Sequence, residues 1–173
     1  MLYTVPKGID NVIDWQGRIT SFLVMPLVFV VVFEVFMRYV VNRPTIWAFE
    51  VTMFIYGLHY MFGLAYMDFY DGHVKVDVFV TRFLSTKSRL IVKIISFFII
   101  SLPVTLGIFW WCMKFGWTST VTMEKNWTSW APYIWPYKDL MALGFLFLLL
   151  QGISNLLKTF QELKALGKGG DNQ

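Results

Sequence analysis

The sequence predicts an all-α integral membrane protein with four transmembrane helices and additional amphipathic helices at the membrane surface. Hydrophobic residues make up 57% of the 173-residue chain and charged residues only 15%, whereas soluble domains carry about 25% charged residues. The apolar residues also concentrate in four runs of about 20 residues. A helix of about that length is needed to cross roughly 30 Å of hydrocarbon.

Four apolar runs, separated by turns and charged stretches, divide the chain into eight segments. Residues 7–18 place side chains at helical spacing, which predicts a short helix on the membrane surface. The predicted segments are an N-terminal cytoplasmic or interfacial segment (1–18), a first span (19–41), a second span (47–67), a cytoplasmic amphipathic connection (68–89), a third span (90–113), a periplasmic Trp-rich segment (114–136), a fourth span (137–157) and a cytoplasmic tail (158–173).

Proline and glycine positions refine these segments. Pro26 removes a backbone hydrogen bond and should bend the first span, and Pro103 with Gly107 should kink the third. Pro44 lies in the short turn after the first span, so the first two spans should form an antiparallel hairpin. The VKVDVFV stretch at residues 74–80 alternates like a strand and fits a helix equally well. We favour the amphipathic helix, because an open strand edge at a membrane is costly.

Small and hydrogen-bonding residues recur at helical spacing in the second span. Such residues commonly mediate helix contacts in lipid, so we expect this face to lie against another helix. The residues are Thr52, Tyr56, His59, Gly63 and Tyr66. Gln151, Gly152 and Asn155 suggest a further helix contact near the end of the fourth span.

The distribution of basic residues predicts the orientation. Ten lysines and arginines lie on one side of the predicted spans and five on the other. Because cytoplasmic loops are enriched in these residues, both termini should be cytoplasmic. Basic residues at the membrane edges then account for the net charge of +4, so nucleic acid is not an expected partner. The apolar run continues past residue 40, too long for a removable signal peptide.

Glu34 is the residue most suggestive of chemistry, because a carboxylate within a span is costly and often functional. It could be the proton site of a small antiporter. The alternative is a structural ion pair with Arg38 at i, i+4, or an arrangement in which Arg38 is shared with Glu50 across the hairpin. A neighbouring arginine favours the charged carboxylate, so we favour the structural pair.

The sequence contains no motif that predicts an enzyme, a cofactor site or a metal site. The single cysteine, Cys112, has no partner for a disulfide or a thiolate metal site. His59 lies alone within a span, so a hydrogen bond is favoured over haem ligation. His73 and Asp77 follow the second span, where we expect them to cap and dock rather than bind metal. No nucleophile elbow or phosphate loop is present.

The chain resembles the small membrane subunit of tripartite ATP-independent periplasmic (TRAP) transporters, the DctQ-type family. The most specific feature is GHVKVD at residues 72–77 after a span that opens with Trp47 and Glu50. Further features are the Glu34/Arg38 end of the first span and a Trp/Pro-rich segment containing Pro132 before LLLQGIS. The resemblance covers about residues 15–160.

This resemblance implies a bacterial inner-membrane complex in which the chain is a scaffold. The large membrane subunit would hold the sodium and solute sites, and a periplasmic binding protein would deliver a small organic anion. The residues carried over would be structural or interface residues rather than transport ligands: Glu34, Arg38, Trp47, Glu50, Gly72, His73 and Asp77. The alternatives are a four-helix proton-coupled multidrug exporter that uses Glu34, and the anchor subunit of a redox enzyme.

Overall fold

The computed structural model describes residues 4–70 and 85–169, with side chains described for 6–70 and 85–166. Within these ranges the chain is helical, which confirms the predicted all-α membrane class. The elements are α1 (Thr4–Ser21), α2 (Val24–Tyr39), α3 (Ala48–Phe69), α4 (Thr86–Ser96), a π-helical turn (Phe97–Ser101), α5 (Leu102–Val121) and α6 (Trp135–Gly169). The stretch predicted as a strand or amphipathic helix at 74–80 lies outside the described residues.

Three helical stretches of the described chain are long and apolar enough to cross a membrane. They are Pro6–Tyr39, Thr86–Val121 and Trp135–Leu166. The second predicted span corresponds to α3, which has 22 residues and is about 33 Å long at 1.5 Å per residue. Its length suits a span, but it contains Glu50, His59 and several tyrosines and is not one of these three apolar stretches.

α1 and α2 form a nearly continuous helix that is interrupted at residues 22–23. Pro26 has no N–H to donate to the carbonyl of Phe22, which instead accepts from the Met25 N–H at 3.1 Å. Pro26 therefore interrupts the helix about one turn before its own position. The sequence predicts a separate surface helix over 1–18, whereas α1 packs lengthwise against α3 and α6.

α3 and α6 run parallel through the centre of the bundle. Phe54 lies 5.0 Å from Tyr137 between ring centroids, and Phe62 lies 5.9 Å from Phe147. Chain positions therefore increase together along the two helices. α1 and α2 run antiparallel to α3 on one side, while α4 and α5 run antiparallel to α6 on the other.

The outer helices expose most of their apolar surface. None of the residues in α2 is buried, and its main contact among the described helices is with α3. On α5, Trp110 and Trp117 are both more than two-thirds exposed. Lipid can cover such surfaces without cost, because acyl chains are as apolar as the side chains.

The π-helical turn has a local cause in Pro103. The proline cannot donate to the carbonyl four residues earlier, and its ring would crowd that carbonyl. Instead, the Leu102 N–H bonds to the Phe97 carbonyl, five residues back. The predicted irregularity is thus a π turn just before Pro103, and it places the Phe97 ring against Gly152 of α6.

Gly17 permits the close approach of α1 to α3, and we predict that enlarging it will destabilise the fold. A Cβ at Gly17 would overlap the ring of Tyr66, whereas a Cβ at Gly63 would meet no atom within 4 Å. Gly17→Ala should lower the free energy of unfolding in detergent by about 1–3 kcal/mol through overpacking. Gly63→Ala is the matched control and should be neutral or stabilising by about 0.5–1 kcal/mol. Equal effects of the two substitutions would contradict this packing.

Candidate functional site

Glu34, Arg38 and Thr45 form a compact cluster at the turn between α2 and α3, called here the turn cluster. Arg38 donates from Nε and Nη2 to Glu34 Oε1 at 3.2 and 2.7 Å. Thr45 donates its backbone N–H and its hydroxyl to Glu34 Oε2 at 3.2 and 2.5 Å. Four hydrogen bonds to two oxygens stabilise the charged carboxylate. Beside them, Trp47 stacks on Phe33 with ring centroids 5.9 Å apart.

Glu50 lies in a second polar cluster, in which residues 122–134 fold back over the helix ends. Glu50 is 5% exposed, and its Oε2 accepts from Asn126 Nδ2 at 3.2 Å. Arg38 pairs with Glu34 rather than being shared with Glu50. The Asn126 N–H bonds to the carbonyl of Pro132 at 2.8 Å and Asn126 Oδ1 accepts from the Trp127 N–H at 3.0 Å. Buried Glu50 therefore holds a hairpin whose tip exposes Trp127.

The same hairpin is fastened to α6 by an ion pair. Lys138 Nζ lies 2.5 Å from Glu124 Oε2 and 3.8 Å from the centroid of the Phe115 ring. The hydrogen bond from Lys138 holds the pKa of the Glu124 carboxyl below its ordinary value. The carboxylate is thus favoured in its charged form at neutral pH.

A third polar cluster joins α1, α3 and α6 near the opposite end of the bundle, and we call it the α1 cluster. Asp10 accepts from Ser154 Oγ at 2.9 Å and from Gln151 Nε2 at 3.3 Å, and it pairs with Lys158 at 2.7 Å. The Asn155 amide donates to the backbone carbonyl and the carboxylate of Asp68, each at 3.0 Å. Sequence reasoning pointed to a helix contact at Gln151 and Asn155 but did not identify their acidic partners.

His59 meets the interrupted part of the first span. Its Nδ1 lies 3.1 Å from the backbone carbonyl of Thr20. Because a carbonyl can only accept, this contact requires the proton on Nδ1. Of the predicted contact face, Tyr66 also meets α1, whereas Tyr56 is more than half exposed. Gly72, His73 and Asp77 lie outside the described residues.

Two open grooves lie on the surface of the bundle. One, of about 290 Å³, runs between α2 and α3 beside the turn cluster. The other, of about 660 Å³, runs between α5 and α6 and is lined mainly by apolar side chains, with Lys114 and Asp139 among them. Within the described ranges, histidine, cysteine and acidic residues form no group that could hold a metal ion.

Comparison with known proteins identifies the family. A profile described as "Tripartite ATP-independent periplasmic transporters, DctQ component" matches residues 27–162. The chain belongs to the DctQ family. No curated protein matches it significantly. Membership, together with the long apolar helices, makes the chain a membrane component of a TRAP transporter, and the resemblance noted in the sequence is confirmed.

The α1 cluster should contribute more to stability than the neighbouring exposed pair of α1. Asp10 joins two helices through an ion pair of 2.7 Å and a hydrogen bond of 2.9 Å. Asp14 pairs with Arg18 of the same helix, whose side chain is 70% exposed, and its one contact outside α1 is a long, exposed hydrogen bond of 3.4 Å from the Tyr70 hydroxyl. Asp10→Ala should lower the free energy of unfolding by about 1–3 kcal/mol, because Lys158 loses its ion pair and buried Ser154 and Gln151 each lose an acceptor. Asp14→Ala should change it by less than about 1 kcal/mol. Unfolding in a denaturing detergent would measure both, and a larger loss at Asp14 would contradict the assignment.

The Glu124–Lys138 pair should make stability depend on pH only in acid. A carboxyl whose folded pKa is lowered contributes stability above its unfolded pKa, near 4.3, and loses that contribution as pH falls through the folded value. The thermal midpoints of the wild type and Glu124→Gln should therefore differ by a constant amount from pH 8 to about pH 5 and converge below about pH 4. Glu162→Gln, at an exposed carboxylate of α6, is the control, and its thermal midpoint should stay equal to that of the wild type throughout this pH range. A difference that persisted in strong acid would contradict the mechanism.

Proposed function

We propose that this DctQ family member is the small scaffold subunit of a TRAP transporter in a bacterial inner membrane. In this proposal the large membrane subunit binds sodium and the solute, and a periplasmic binding protein delivers a small organic anion. The present chain supplies immobile membrane helices to the large subunit, with both of its termini in the cytoplasm. It performs no catalysis itself.

The observation that best supports this role is the contrast between polar and apolar groups. The described carboxylates in the three polar clusters bond to side chains or backbone of the same chain. The apolar faces of α2 and α5, in contrast, are exposed. A membrane brace needs this arrangement, because internal polar contacts hold it rigid while its outer faces remain available to a large partner or to lipid.

Copurification tests the assembly. A tagged chain, extracted in mild detergent from cells that express the neighbouring genes, should retain a much larger membrane protein. Deletion of the chain should abolish uptake of the solute, and reintroduction on a plasmid should restore it. The isolated chain should bind no organic acid. Binding of an organic acid to the isolated chain with an affinity that matched uptake would overturn the scaffold role.

The role of Glu34 distinguishes the scaffold hypothesis from the hypothesis of a proton-coupled exporter. Both of its oxygens accept hydrogen bonds from Arg38 and Thr45, which favours a fixed ionised carboxylate over one that exchanges protons. The purified chain in liposomes should therefore release no protons when lipophilic cations are added, and Glu34→Gln should change nothing. Proton release that Glu34→Gln abolished, while Arg38→Ala did not, would establish the exporter.

A further inference from the structure

The groove between α2 and α3 has apolar walls, and the Glu34–Arg38 ion pair lines one part of it. Val31 and Val35 line it from α2, and Ala48, Phe49 and Thr52 line it from α3. The Thr52 hydroxyl already donates to the carbonyl of Ala48 at 2.8 Å. The volume of about 290 Å³ is close to the roughly 300 Å³ at which pockets for small ligands begin.

Arg38 stands at the end of this groove with hydrogen-bonding capacity to spare. A guanidinium carries five N–H donors, and Arg38 gives one from Nε and one from Nη2 to Glu34. Among the described residues no other acceptor is bonded to it, and its side chain is 52% exposed. Glu34, in contrast, is bonded at both oxygens. The free donors therefore make the end of the groove attractive to an anion.

The position of Arg38 matches the arrangement of a membrane phospholipid. It lies one residue before the end of α2, where the apolar stretch Pro6–Tyr39 also ends. Val31 lies seven residues earlier, about 10 Å deeper along the helix. An acyl chain can therefore occupy the apolar part while the phosphodiester reaches the guanidinium, a group whose planar donors pair with phosphate oxygens. Arg43, which is exposed in the adjoining turn, adds positive charge at the same end.

We propose that the α2/α3 groove binds one phospholipid molecule, with Arg38 bonded to its phosphodiester and an acyl chain along Val31 and Val35. Glu34 positions the guanidinium by fixing its Nε edge, and Thr45 keeps the carboxylate ionised. The site requires an anionic group beside Arg38 and a hydrocarbon group beside Val31 and Val35, and a phospholipid supplies both. Inorganic phosphate meets only the first, and a purely apolar helix only the second.

Native mass spectrometry of the purified full chain tests this directly. The delipidated protein is mixed with dioleoyl phosphatidylglycerol or with dioleoylglycerol, which has the same chains and no phosphate. The wild type should retain one phosphatidylglycerol after the detergent is removed and no dioleoylglycerol. Arg38→Gln should reduce the bound fraction at least fivefold, because the positive charge and the bidentate guanidinium geometry are lost.

Two further variants distinguish a built site from general headgroup attraction. Arg18→Gln is the matched control, because Arg18 also pairs with a carboxylate four residues away and is exposed. It should leave the bound fraction unchanged. Val35→Trp retains Arg38 and fills the groove, so it should also displace the lipid. Val35 is half exposed, so this variant tests the site even where Arg38→Gln fails to fold.

Several outcomes would overturn the proposal. These are equal retention by the wild type and both groove variants, equal loss in Arg18→Gln, or retention of dioleoylglycerol at the level of phosphatidylglycerol. A second copy of the chain in the groove would give a dimer in the spectra and a lipid count that does not depend on Arg38. Displacement by inorganic phosphate alone would show an anion site without the acyl-chain groove.

Discussion

The need to satisfy polar groups in lipid is the constraint on which this structure depends. Hydrocarbon offers no hydrogen bonds, so a polar side chain must find a partner within the protein. Gln151, Ser154 and Asn155 lie along one stretch of α6, and they bond to Asp10 of α1 and Asp68 of α3. These contacts give α1, α3 and α6 a defined position relative to one another, which hydrophobicity alone cannot do in lipid.

The same constraint explains how the opposite end is held. Glu34 ties the end of α2 to the turn, and Glu50 ties the start of α3 to the hairpin at 122–134. Glu34 accepts from Thr45 across the turn, and Glu50 accepts from Asn126, which is distant in the sequence. Polar contacts therefore hold the bundle at its two ends, while α3 and α6 pack between them through aromatic rings and small residues.

An open row of helices follows from this pairing, and it suits a subunit of a larger assembly. α3 and α6 form the centre, and α2 and α5 each present an exposed apolar face. A protein that moved a solute by itself would need a path enclosed by its own helices. The described grooves instead lie on the outside, between α2 and α3 and between α5 and α6. Surface grooves of this kind are available to lipids and to neighbouring subunits.

The sequence by itself determined the class, the family and the local pairs. Apolar runs require helices in lipid whatever their neighbours, and the i, i+4 spacing of Glu34 and Arg38 brings them together on any helix. Only the tertiary structure decided that Asp10 meets Lys158, that Glu50 meets Asn126, and that α1 packs on α3 rather than lying apart. These contacts join residues 39 to 148 positions apart. Such contacts depend on how each helix is rotated about its axis and how deep it lies in the membrane. Hydropathy encodes neither property, because any apolar side chain suits a lipid-facing position equally well.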